Sequence, residues 1–282
     1  MVSRDPDGWT APWRCPVCLA PLALAGDRKR WTCDQAHSFD VAREGYVNLL
    51  LAGQRRSRQP GDSTEMVSAR RRFLATGAYD PMSAAIAEVV AAQQPATVLD
   101  VGCGEGRHTR SVVAPARLAF DVAKPAVATA ARADRHGWYA VASAGAIPLA
   151  DAGIDLALSI FGPVVPAELA RVVRPGGAVV AVHPGPGHLA EVRALVYADA
   201  LPHQVKPPLR DAKDCFKQTA SARVSFPVAV PDLPQLQDLF AMTPYRWHAQ
   251  ADIDERLAAA VVPGFVTTAD ILITLYRRTS RP

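Results

Sequence analysis

The sequence predicts an α/β fold in which helices cover a mostly parallel sheet, preceded by a small metal-stapled module. Three observations carry this. From Ala96 onward, short apolar runs alternate with helix-like stretches. The first run ends in a glycine-rich turn at Gly102, Gly104 and Gly106. Ahead of it, Cys15, Cys18, Cys33 and His37 crowd a segment too poor in apolar residues to hold a core unaided.

At 282 residues and 49% hydrophobic, the chain can bury a large core, roughly two domains' worth at about 150 residues each. A net charge of +4 is too small to imply a polyanionic partner, so any nucleic-acid surface must come from local clustering. The amino terminus lacks an apolar h-region and no 18-residue apolar run occurs, which argues against secretion and membrane spanning. Three of the five cysteines fall in the first 33 residues and two stand far apart, unlike a disulfide framework; a reducing cytoplasm is expected.

Three regions follow in order. Residues 1–40 form the cysteine-bearing module. Residues 41–95 read as an arginine-rich linker, with a turn-like SRQPGDST centre and helices over 65–75 and 82–92. Residues 96–282 form the sheet domain. Strands are expected at 97–101, 118–120, 138–142, 154–160 and 178–183, with helices at 107–113, 126–133, 167–173 and 188–200. The tail offers a strand at 222–226, a helix at 233–242 and a last strand at 271–276. Periodicity fails over 202–218, which reads as loop.

Cys15, Cys18, Cys33 and His37 form a C-x2-C-x14-C-x3-H pattern. Zinc takes four ligands in a tetrahedron, and C-x2-C lets one knuckle present two thiolates to one ion. With all four positions filled by protein, the zinc would be structural. The alternative is three buried free cysteines and a surface histidine.

TVLDVGCGEG, residues 97–106, places an apolar strand before glycines where a ligand can approach bare backbone. The glycines alone would also suit a dinucleotide fold or a tight turn. Asp100 at the strand's end and Asp121 about 20 residues on, where a carboxylate can accept both ribose hydroxyls, separate these readings. Together they resemble the first two motifs of class I (Rossmann-like) S-adenosylmethionine-dependent methyltransferases. IPLADAGIDLALSIFGP and ELARVVRPGGAVVAV resemble that family's fourth and fifth strands.

With both elements in one chain, the sequence resembles the RlmA family of 23S ribosomal RNA guanine-N1 methyltransferases almost end to end. HSFDVAREGYVNLL, PGDSTEMVSARRRFLATGAYDP, DVAKPAVATAARA, PGPGHLAEV and MTPYRW carry the resemblance. It implies S-adenosylmethionine as cofactor, a structural Zn2+, a 23S rRNA hairpin as partner and a homodimer, the last also favoured by the prevalence of two-fold symmetry. It makes Cys15, Cys18, Cys33 and His37 the zinc ligands. Tyr79, Cys103, Gly104 and His188 fall on positions resembling cofactor contacts, beside Asp100, Gly102 and Asp121, with His188 meeting the methionine carboxylate. Without the resemblance, Tyr79 reads equally as a packing residue and His188 as the start of a helix. The chain departs from the family at Arg107 and His108, where a pair is often aromatic, and at His183, where a small residue is usual. Related macrolide-resistance enzymes share this fold and modify a neighbouring guanine, so the resemblance leaves the target nucleotide and a role in drug resistance open.

Guanine N1 carries a proton that must leave as the methyl arrives in line, so a base must be near. Phe161, Gly162 and Pro163 follow the fourth strand in place of the Asn/Asp-Pro-Pro-aromatic box of exocyclic-amine methyltransferases, and no cysteine there can attack a pyrimidine. Ring-nitrogen methylation survives this elimination. Asp62 and Glu44 are candidate bases, each equally a turn or capping residue. Lys29, Arg30, Arg55, Arg56, Arg58, Arg70, Arg71 and Arg72 would meet RNA or simply be a solvated face. Trp9, Trp13 and Trp31 would stack on unpaired bases or complete the module's core. Two rival readings stand beside this one: a small-molecule methyltransferase with a zinc lid, and a non-catalytic zinc-bearing RNA-binding module.

Overall fold

The computed structural model describes residues 13–54, 61–197, 202–248, 250–262 and 264–279. Three short strands, β1 (Ala23–Leu24), β2 (Arg30–Thr32) and β3 (Ser38–Asp40), make a small antiparallel sheet. β4 (Tyr46–Asn48) leaves it and runs parallel at the edge of the main sheet. Two helices follow, α1 (Thr64–Ala75) and α2 (Asp80–Ala91).

Helix α1 starts where Ser63 accepts the Met66 N–H at 3.3 Å, and its buried face is Met66, Val67, Ala69, Phe73 and Leu74. In α2, Pro81 falls in the first turn, where its missing N–H has no partner to lose.

The sheet domain then alternates: β5 (Thr97–Val101), α3 (Arg107–Ser111), β6 (Ala116–Asp121), α4 (Lys124–Ala133), β7 (Trp138–Val141), β8 (Ile154–Ile160), α5 (Pro166–Val172), β9 (Val173–Pro184) and α6 (Ala190–Val196). β10 (Phe216–Val230), α7 (Leu233–Ala241), α8 (Ile253–Ala260) and β11 (Phe265–Arg278) close the chain. The eight-stranded sheet has the order β10-β11-β9-β8-β5-β6-β7-β4, with β11 antiparallel to both neighbours. All of β5 is buried, because helices cover both faces of a central parallel strand. Successive connections leave β5 in opposite directions, toward β6 and toward β8, which opens a crevice at the carboxyl ends of these strands.

Several elements differ from the sequence expectation for identifiable reasons. Helix α6 is shorter than 188–200: Leu189 is left-handed at φ 48° and Tyr197 is extended at φ −115°, ψ 132°. The final ribbon is much longer than expected, pairing from Phe216↔Arg278 to Val230↔Phe265. Residues 217–223 are exposed and have no apolar alternation, so only pairing with β11 fixes them as strand. This also moves Phe216 to Gln218 out of the expected loop. The stretch expected as linker, 41–95, supplies β4 to the main sheet and packs α2 on its core.

The small module does not stand apart either. Trp13 bridges Leu149, the Arg14 N–H donates to the Pro148 carbonyl at 2.8 Å, and Trp31 meets Trp138 edge to face at 5.6 Å. Trp13 and Trp31 are 1% and 3% exposed within one apolar cluster that includes Leu99, Leu118 and Ile154. These two indoles therefore complete the core and are closed to RNA bases. Trp9, Arg55, Arg56 and Arg58 lie outside the described residues. Arg70 pairs with Asp62 and Arg72 with Asp238, both at 2.5 Å, whereas Lys29, Arg30 and Arg71 are exposed. Among the described residues no helix is long and apolar enough to cross a membrane.

Candidate active site

A cavity of about 730 Å³ opens at the crevice beside β5 and β8. Its lining includes Asp100, Gly102, Cys103, Gly104 and Asp121 from the glycine-loop region, Phe161 and Pro163 after β8, and His188, His203, Tyr245, Trp247, Tyr79 and Asp62. Glu44 does not line the cavity; Arg132 pairs with it at 3.2 Å and Arg135 donates to its carbonyl at 2.8 Å, so it is removed from the candidate bases. Asp62 lines the cavity but is held in the ion pair with Arg70.

The glycines are dictated by local geometry. Gly102 is left-handed at φ +77°, and a Cβ there would stand 2.9 Å from Pro163 Cδ. Gly106, at φ +76°, would set one 2.8 Å from Ala130 Cβ, so no side chain fits between the loop and α4. The Gly102 and Cys103 N–H groups donate to the Phe120 carbonyl, and the Gly104 N–H donates to Asp121 Oδ2 at 3.0 Å.

Asp121 thus ties two βα turns together: its Oδ1 also accepts the Ala123 N–H at 2.8 Å. Each oxygen keeps lone-pair capacity for a ribose hydroxyl. Burial pushes its carboxyl above the usual range against the pull of those N–H groups. Asp100 lies deeper, at 2% exposure. It accepts from the Thr109 hydroxyl at 2.5 Å, its Oδ1 has no partner, and burial pushes its carboxyl up to about 7. Burial likewise drives the Cys103 thiol well up, which removes it as a nucleophile.

His188 is buried. Phe161 stacks on its ring at 5.5 Å and 25°, with Tyr79 edge-on at 6.4 Å. Its Nδ1 accepts the Asp270 N–H at 3.3 Å, and burial lowers its pKa to about 4. The ring is therefore neutral with its proton on Nε2, a donor suited to a carboxylate. Asp270 was not evident from sequence. Standing on β11, 82 residues from His188, it accepts the Gly187 N–H at 2.8 Å and both Arg223 nitrogens, fixing the PGPG turn that presents His188. Phe161 adopts φ +50°, an unusual strain for an aromatic residue, and the residue is 44% exposed at the cavity wall.

Cys15, Cys18, Cys33 and His37, none of which lines the cavity, converge with all ligand atoms within 4.8 Å of one another. His37 Nδ1 lies 3.6 Å from Cys15 Sγ and 3.4 Å from Cys33 Sγ, and the Cys18 and Cys33 sulfurs are 3.7 Å apart. A zinc tetrahedron with Zn–S about 2.3 Å and Zn–N about 2.0 Å has edges of about 3.8 Å (S–S) and 3.5 Å (S–N). The donor set and its spacing fit that ion.

Comparison with known proteins agrees with both halves. Residues 13–58 match the family described as RlmA, N-terminal, a zinc ribbon, and residues 99–181 match a methyltransferase domain. Over 94% of this chain and 96% of its own length, a Streptomyces fradiae 23S rRNA (guanine(748)-N(1))-methyltransferase is 34% identical. A Micromonospora griseorubida protein provisionally named a 23S rRNA (guanine-N(1)-)-methyltransferase is 36% identical over the same shares. The chain belongs to the RlmA family of 23S rRNA (guanine-N1)-methyltransferases. Within this RlmA chain the domain after the zinc ribbon is thus an S-adenosylmethionine-dependent methyltransferase domain. Its crevice holds the predicted Tyr79, Asp100, Gly102, Cys103, Gly104, Asp121 and His188 on one cavity wall or another.

Proposed function

We propose that this protein transfers a methyl group from S-adenosylmethionine to N1 of a guanine in a 23S rRNA hairpin, acting as a homodimer. The observation that carries the reading is a cavity joining the glycine loop and Asp121 to an aromatic wall, in a chain that resembles rRNA guanine-N1 methyltransferases over 94% of its length.

When bound, the cofactor supplies a sulfonium-activated methyl, so the protein contributes positioning, water exclusion and proton removal. The backbone of Gly102 to Gly104 lies against the cofactor, Asp121 accepts its ribose hydroxyls, and His188 Nε2–H donates to its carboxylate. Tyr79 packs against His188 and holds that ring upright. Asp100, buried behind the loop, braces α3 through Thr109. Phe161 offers its exposed face to the guanine, which must leave its stack to enter. The zinc ribbon with Lys29 and Arg30 forms an RNA-facing surface apart from the cavity.

Incubation of the purified protein with a 23S rRNA hairpin fragment and methyl-labelled cofactor is expected to yield 1-methylguanosine on nucleoside analysis. Label appearing only in another nucleoside would overturn guanine N1 as the target, and no label in RNA that the protein fails to bind would overturn the reading in favour of a small-molecule substrate.

A further inference from the structure

We propose that Tyr245 and His203 form the proton-accepting pair for guanine N1, with the buried Arg193 positioning Tyr245. This rests on the guanine-N1 reading above and adds the base that the sequence left unidentified.

Both residues line the same cavity as the glycine loop. His203 Nε2 is 2.9 Å from the Tyr245 hydroxyl, and the two rings stack at 22°. Tyr245 is 7% exposed while His203 is half-buried, so the contact leads from the interior toward solvent. Behind them Arg193 is 5% exposed. Its charge pulls the Tyr245 phenol down against the larger upward push of burial, it donates to the Pro186 carbonyl at 3.2 Å, and its Nε and Nη1 have no acceptor among the described residues. Among the described residues no carboxylate pairs with it. A buried guanidinium stabilises negative charge that develops on a neighbouring phenol oxygen.

Of the other titratable groups lining the cavity, Glu105 and Tyr79 are buried, and the following are paired, hydrogen-bonded or enclosed. Asp62 is paired with Arg70, Asp121 holds two N–H groups, and Asp100 lies behind the loop. His108 Nδ1 meets the Ser83 hydroxyl at 2.9 Å, and His188 Nδ1 takes the Asp270 N–H. His183 Nε2 is fully enclosed and without a partner, closed to a substrate proton.

In the step, the guanine N1–H bond breaks as the N1–CH3 bond forms, and the sulfur keeps the electron pair of the broken C–S bond. The N1 proton passes to the Tyr245 oxygen while the Tyr245 proton passes to His203 Nε2. His203 becomes imidazolium and releases a proton at the cavity mouth. Burial and the Arg193 charge hold His203 below its ordinary pKa, so it is neutral and ready to accept at neutral pH. The charged and titratable groups facing the pair are Arg193, His188, Tyr197 and Tyr79.

The test is single-turnover methylation of the hairpin by wild type, His203→Gln and Tyr245→Phe across neutral to alkaline pH. Cofactor affinity and the nitrogen-15 NMR spectrum of His203 accompany it. Each variant is expected to lose about 100-fold or more at neutral pH. It should recover by about tenfold per pH unit as guanine N1 ionises unaided. Cofactor affinity should stay at the wild-type value, and His203 should carry its proton on Nδ1 in the wild type. Wild-type formation of 1-methylguanosine with a pH-independent loss in both variants, no loss, or a proton on His203 Nε2 would overturn the pair and leave the guanine-N1 reading standing. Absence of 1-methylguanosine with the wild type would overturn both.

Discussion

Replacing Asp121 removes one carboxylate that serves two purposes. Its oxygens accept the Gly104 and Ala123 N–H groups at 3.0 and 2.8 Å, and under the proposed reading its remaining lone pairs take the cofactor's ribose hydroxyls. Hydrogen bonds to a charged acceptor contribute about 1.5–3 kcal/mol. Asp121→Ala is therefore expected to weaken cofactor binding by about 1.5–3 kcal/mol, or roughly 10- to 150-fold in Kd. Asp121→Asn is the sharper variant. Because both oxygens already accept backbone N–H groups, the amide NH2 must face a donor whichever way it turns, so Asn should lose nearly as much as Ala. Burial raises the Asp121 carboxyl, and only its ionised form accepts both hydroxyls without cost, so wild-type affinity should fall as pH drops through that raised value. Calorimetric titration with S-adenosylmethionine and with its demethylated product at fixed salt measures all three effects. Unchanged affinity in Asp121→Ala, or wild-type affinity in Asp121→Asn, would show that this carboxylate does not hold the ribose.

Elemental analysis should find one zinc per chain. Chelation should change tryptophan fluorescence and lower the thermal midpoint of the whole chain, because Trp13 and Trp31 join the sheet's own core; an unaltered melt would refute the shared core. Asp100 has its folded pKa raised to about 7 from 3.8, so its contribution to stability is full below 3.8 and is lost as pH rises through about 7. Asp100→Asn should therefore stabilise the fold above neutrality and flatten the pH dependence of denaturant unfolding, and an unchanged pH profile would refute this. Neutralising the exposed Lys29 and Arg30 should lower the salt dependence of hairpin binding by up to about 0.7–0.9 per lost phosphate contact with cofactor affinity unaltered, whereas an unchanged slope would leave them a solvated face.

What could be read from sequence divides along physical lines. β5 and β8 were legible because buried parallel strands are continuous apolar runs, bounded here by a glycine turn and by Phe161. The zinc ligands were legible because their spacing is local. Short β4 carries no periodicity, and residues 217–223 of β10 are exposed on both faces, so each is a strand only through its partner. The site followed the same rule. Asp100 and Asp121 end strands at fixed distances from the glycines, but Asp270 reaches His188 across 82 residues and Tyr245 reaches His203 across 42, a proximity that only the fold creates. Tryptophans beside a cysteine cluster looked equally suited to RNA and to a core, and burial decides for the core at Trp13 and Trp31.

The central claim is that this chain methylates N1 of a 23S rRNA guanine. Mass mapping of methylated guanines in 23S rRNA from otherwise identical cells with and without the protein tests it most directly. One hairpin guanine should carry 1-methylguanosine only when the protein is present, and identical maps in the two strains would contradict the claim.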